Sequence, residues 1–141
     1  MGCYNSTVVN ANAEKVWEKL NDFHDLSWSK NVVEDVEKVG NKDGDEPGAK
    51  RVLNGAFHET LLSLNNEAKT LSYSIDDGPG AVAKDNVNGY VGSVTVFPVT
   101  DTGSAFVEWK SDWDNEKEER VAELCNPIYH ALLQDLKAHF E

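Results

Sequence analysis

The chain is predicted to be α+β, with a curved antiparallel sheet of about seven strands around a long C-terminal helix and two short helices after the first strand. Three observations predict this. Alternating, β-branched segments fill the middle of the sequence, while helical spacing is confined to its two ends. An apolar stripe of Val121, Leu124, Cys125, Ile128, Leu132, Leu136 and Phe140 recurs at spacings of three and four. No internal repeat, linker or low-complexity tract interrupts the 141 residues, a length that suits one domain over 1–141.

Taken in order, Tyr4 to Asn10 alternates and reads as a strand. Asn12 is placed to cap a helix over Ala13 to Phe23, whose Val16, Trp17, Leu20 and Phe23 share a face. Leu26, Trp28, Val32 and Val33 continue into a second, irregular helical stretch, and a strand follows from Val33 to Val39. The polar Asn41–Gly48 segment breaks the pattern. Lys50 to Leu64 reads as one or two strands with Gly55 at a bend. Thr70 to Ile75, Asn88 to Val99 and Ser104 to Trp113 complete the sheet, the last two as a hairpin. The final helix spans about Glu116 to Phe140. Glu116, Glu118 and Glu119 sit in its first turn, where its dipole favours negative charge, and Pro127 inside it predicts a kink.

Composition narrows the functions. A formal net charge of -12 repels phosphate backbones, so no nucleic-acid partner is expected, and it opposes docking on anionic lipid. No apolar run approaches the roughly 20 residues of a membrane span. Cys3 and Cys125 are isolated, which suits a reducing, cytoplasmic setting; a monomer or weak homodimer is expected. Met1-Gly2-Cys3-Tyr4-Asn5-Ser6 fits an N-acylation pattern, against the plainer reading that Cys3 begins a strand. His24, His58, His130 and His139 lack metal-site spacing, no glycine-rich phosphate loop is present, and the serines lack a nucleophile-elbow context. No metal or cofactor is expected.

Alternation sets the inward faces. Phe57, Glu59 and Leu61 share one, Tyr73 and Ile75 a second, and Tyr90, Gly92, Val94 and Val96 a third. In the last strand Val107, Trp109, Ser111 and Trp113 turn inward because Glu108, Lys110 and Asp112 must face water. Leu124, Ile128 and Leu132 of the helix meet them. The pattern alone fits either a packed core or an apolar cavity with a few polar groups. Glu59 lies between apolar neighbours and needs a partner or a raised pKa. It is a ligand contact, a general base, or half of a structural ion pair with Arg51 or Lys30; a register one residue off would expose it.

The order of elements, with Val16-Trp17, Asp22-Phe23, Trp28, Gly48, Arg51, Glu59-Thr60-Leu61, Leu71-Ser72-Tyr73-Ser74-Ile75, Pro79, Tyr90, Ser93-Val94-Thr95-Val96 and Trp109, resembles the START-related helix-grip superfamily (SRPBCC). That group includes polyketide cyclase/dehydrase-like proteins, birch-pollen-allergen-like proteins and the plant abscisic acid receptors. The resemblance covers nearly the whole chain. It implies a cavity between sheet and helix, lined by Phe57, Glu59, Leu61, Tyr73, Ile75, Tyr90, Val94, Val107, Trp109, Leu124, Ile128 and Leu132. In the hormone receptors a glutamate matching Glu59 lines the pocket, and a lysine matching Lys30 pairs with the ligand carboxylate; the competing reading of Lys30 is a solvated helix end. The hormone itself is not carried over, since the gate near Asn54-Gly55-Ala56 is shortened and Leu132 replaces an asparagine.

The resemblance implies binding or transport of a small apolar molecule, whether lipid, aromatic or polyketide-like. Two alternatives stand beside it. One is a cyclase, dehydratase or hydrolase using Glu59 with Tyr73 or Tyr90; the other is a protein-interaction module. An enzyme needs at least two convergent ionisable groups, and an interaction module a filled core and an exposed apolar patch. The sequence assigns no catalytic residue.

Overall fold

The computed structural model describes residues 2–114 and 118–141. Strands β1 (Gly2–Val9), β2 (Val36–Val39), β3 (Lys50–Leu53), β4 (Phe57–Asn65), β5 (Thr70–Asp77), β6 (Val91–Pro98) and β7 (Ala105–Asp112) form one antiparallel sheet in the order β1-β7-β6-β5-β4-β3-β2. Helix α1 (Ala13–Leu20) follows β1, and α2 (Glu118–His139) closes the fold as a helix-grip. Among the described residues no helix is long and apolar enough to cross a membrane.

Local chemistry explains the boundaries. The Asn12 side chain accepts the Lys15 amide at 2.9 Å and starts α1. The second short helix expected over residues 26–33 is absent; turns replace it. Asp22 Oδ1 accepts the His24 amide, and Asp25 Oδ1 accepts both the amide and the hydroxyl of Ser27. These local bonds compete with helical ones, so the chain turns while still burying Leu26, Trp28 and Val33. For the same reason α1 stops at Leu20 rather than Phe23, and the following strand shrinks to Val36–Val39. The Lys50–Leu64 segment is two strands joined at Asn54-Gly55-Ala56. Helix α2 is continuous across Pro127; Glu116, expected in its first turn, lies outside the described residues.

Register shifts at His58/Glu59 and Leu61/Ser63 interrupt the β4–β5 ladder and bend the sheet. Its concave face carries the core, and α2 buries Val121, Cys125, Tyr129, Leu132, Leu133 and Leu136. Polar bonds fix the helix at both sides. Asn5 of β1 donates to Asn126 at 2.9 Å, and Asp135 accepts from Ser29 at 2.7 Å and Asn31 at 2.9 Å. Cys3 lies buried in β1, and both cysteines are free thiols.

Candidate functional site

Sheet and helix do not close completely. A cavity of about 140 Å³ remains between them. Its sheet wall is Leu53, Phe57, Glu59, Tyr73, Ile75 and Trp109 with Arg51; α2 supplies Cys125, Ile128, Tyr129 and Leu132, and the loops add Leu26, Val32, Val33 and Asn54. A smaller void of about 20 Å³ shares Leu26, Arg51, Tyr73 and Trp109 as walls and is also lined by Trp28. It has room for one water, and Trp28 Nε1 is buried without a partner among the described residues.

The β3–β4 hairpin positions the charged pair. A loop of Asn54 to Ala56 sets Leu53 opposite Phe57 and therefore Arg51 opposite Glu59. Arg51 is 6% exposed and Glu59 5%. The guanidinium donates to Glu59 Oε1 through Nε at 2.8 Å and lies 2.7 Å from it through Nη2, while Nη1 donates to the Phe23 carbonyl at 2.8 Å. Its Cζ sits 3.7 Å from the Phe23 ring centroid. Burial pushes the Glu59 carboxyl up, and the Arg51 charge holds it back.

A second polar group crosses from sheet to helix. Trp109 Nε1 donates to the Tyr73 hydroxyl at 2.9 Å, and Tyr73 donates to Tyr129 at 2.9 Å. Tyr129 in turn shares a short hydrogen bond with Tyr90. The Trp109 and Tyr129 rings stack at 5.4 Å, and Tyr90 stacks on Trp113 at 5.7 Å. Glycine at position 92 permits this packing, since a Cβ there would meet Tyr73 Cζ at 2.4 Å. Burial raises the pKa of Tyr73, Tyr90 and Tyr129 and pushes the Cys125 thiol up to about 11. These groups stay protonated at neutral pH.

Asn54 fastens the rim. It has φ 54°, a left-handed conformation that asparagine tolerates. Its Oδ1 accepts the amides of Glu34 at 2.8 Å and Asp35 at 3.1 Å, and its Nδ2 donates to the Val32 carbonyl at 2.9 Å.

Of the residues expected around a cavity, Phe57, Glu59, Tyr73, Ile75, Trp109, Ile128 and Leu132 meet there. Leu61 and Val107 are wholly buried in packed core, and Val94 lines the smaller void. Tyr90 does not line the cavity itself but is bonded to Tyr129, which does. Leu124 is half-buried at the margin of the core. Lys30 is exposed in surface grooves, because the turn that replaces the second helix points it to solvent while Ser29 beside it is buried. Arg51, and not Lys30, is the ion-pair partner of Glu59. Tyr129, Cys125 and the loop residues were missed. Tyr129 lies one step from Ile128 on the same helical arc, and that adjacency was the available signal. Elsewhere, Asp43, Asp45 and Glu46 form an exposed acidic group in the loop between β2 and β3.

The architecture is similar to that of several solved structures. A protein of Nitrosospira multiformis is 38% identical with a TM-score of 0.96, the match covering 100% of this chain and 97% of that one. The protein XoxI of Bacillus cereus, 21% identical over 99% of this chain and 94% of its own, has a TM-score of 0.81. A Thermobifida fusca protein, 23% identical over 99% and 92%, likewise has 0.81. No curated protein matches. The family model for polyketide cyclase / dehydrase and lipid transport matches residues 3–141, and the chain belongs to that family, within the helix-grip superfamily.

Proposed function

We propose that the protein binds a small, mostly apolar molecule in the cavity between sheet and helix and does not convert it. Family and fold are consistent with a small apolar ligand. The observation that carries the reading is the state of the polar groups in the wall. Glu59 is neutralised by Arg51, and the three phenols are buried, bonded to one another and held protonated. General acid–base catalysis needs two convergent groups near neutrality, and beside the ion-paired Glu59 this lining offers only phenols and a thiol held protonated. Ligand contacts are assigned to Phe57, Glu59, Tyr73, Ile75, Trp109, Ile128 and Leu132, joined by Tyr129.

Native mass spectrometry of protein purified from its own host tests this. The wild-type chain is expected to carry one retained small molecule. Ile128→Trp, which fills the cavity from its half-buried helix position, is expected to emerge bare with its circular dichroism unchanged. A wild-type chain that carries the same adduct as Ile128→Trp would place the ligand elsewhere.

A further inference from the structure

Three properties of the cavity restrict what it accepts, and they deepen the binding reading on which they rest. The first is size. A dry cavity of about 150 Å³ holds one benzene molecule, and the space here is about 140 Å³. An acyl chain of about a dozen carbons has twice the carbon atoms of that ring and exceeds the space. The second is shape. Phe57, Tyr73, Trp109 and Tyr129 present aromatic surfaces, which favour an offset or edge-on ring over a flexible chain.

The third is polarity. The indole donor of Trp109 is spent on Tyr73, and the Tyr73 hydroxyl on Tyr129. Tyr129 is engaged with Tyr90. Arg51 directs Nε and Nη2 at Glu59 and Nη1 at the Phe23 carbonyl. The indole, the Tyr73 hydroxyl and three of the five guanidinium N–H groups are therefore committed, two of those three to Glu59 itself. Both Arg51 contacts fall on Oε1 of Glu59, which leaves Oε2 outside the guanidinium's grip. A ligand that brings a hydrogen-bond donor finds an acceptor. A ligand carboxylate finds a buried negative charge and a cation already paired. From these we infer that the ligand is a single-ring aromatic carrying a neutral hydrogen-bond donor, of the phenol class, and neither a long acyl chain nor a carboxylate.

Titration calorimetry of the purified chain with toluene, 4-methylphenol, 4-methylbenzoate and hexadecanoate tests this, with xenon binding followed by NMR as a control on the cavity. The expected result is 4-methylphenol binding about tenfold or more tighter than toluene, as a hydrogen bond to a charged acceptor would give. No heat is expected from 4-methylbenzoate or hexadecanoate. Ile128→Trp should abolish the 4-methylphenol heat. Equal affinity for toluene and 4-methylphenol overturns the donor requirement, and binding of hexadecanoate or 4-methylbenzoate in place of 4-methylphenol overturns the ligand class. Xenon binding with no ring compound bound overturns the class and leaves the cavity reading standing. Failure of xenon as well overturns both.

Discussion

Glu59 combines a structural role with the ligand contact proposed for it. Its carboxylate and the Arg51 guanidinium are both buried and joined through one oxygen. Removing one charge strands the other, so Glu59→Gln is expected to cost about 3–5 kcal/mol, read from the denaturant midpoint. Replacing both partners by apolar residues, Arg51→Met with Glu59→Leu, should recover most of that loss, because a buried pair repays little beyond its own desolvation. A double variant no more stable than the single one would show that the Arg51 bond to the Phe23 carbonyl, and not the pair, carries the energy. Much of this was legible in the sequence. Alternation between Phe57 and Leu61 turned Glu59 inward, and a hairpin centred on Asn54-Gly55-Ala56 places residue 51 opposite residue 59. Lys30 was not separable from Arg51 by sequence, because its direction depends on an Asp25–Ser27 turn that competes with a helix on nearly equal terms.

Elements are fixed where one side chain serves several backbones at once, and Asn54 does this for the cavity rim. It accepts two amides and donates to one carbonyl of the 32–35 loop, and its own amide donates to the Asp35 carbonyl at 2.9 Å. Asn54→Gly keeps the backbone conformation and loses the three side-chain bonds; Asn54→Ala loses the bonds and adds strain at positive φ. Both should lower stability, Asn54→Ala the more, by roughly 1–3 kcal/mol. Amide exchange should quicken in residues 32–35 well before the rest of the sheet, since the opening is local. Unchanged exchange there would mean that Leu26 and Val33 packing alone holds the loop. The long helix was legible in its length and much less so in its facing. Val121, Cys125, Leu132 and Leu136 of the predicted stripe are buried, but Leu124 and Ile128 are only half-buried, while Tyr129 and Leu133 are buried beside them. A 3.6-residue repeat leaves several adjacent arcs nearly equivalent, and a tyrosine hydroxyl counts as polar until its partners on the sheet are known.

Across the whole molecule, the indole and phenol chain ties the sheet to the helix, from Trp109 on β7 and Tyr73 on β5 to Tyr129 on α2 and then Tyr90. No sequence pattern announces such a chain, because its bonded members are 36 to 56 positions apart and meet only when the sheet curls over α2. Its consequence is a sensitivity to alkali. An unfolded chain ionises its cysteines near 9.0 and its tyrosines near 10.0, whereas burial raises Tyr73, Tyr90 and Tyr129 and pushes Cys125 up to about 11. The folded state therefore holds protons that the unfolded state releases. The stability these groups contribute is fully present below pH 9 and is lost as pH rises through 9 to 11 and beyond, by about 1.4 kcal/mol per pH unit for each group held neutral. The chain already carries a net charge of -12, so each added anion also increases self-repulsion. Alkaline titration followed at 295 nm should then separate the four tyrosines. Exposed Tyr4 should ionise in the folded state, and the other three should ionise together with the loss of helical circular dichroism. Tyr90→Phe removes one such group and should make the decline in stability with pH shallower by about 1.4 kcal/mol per unit. Smooth ionisation of all four tyrosines ahead of unfolding would show that water reaches the phenols in the folded state, and a wall that wet would count against the proposed apolar ligand.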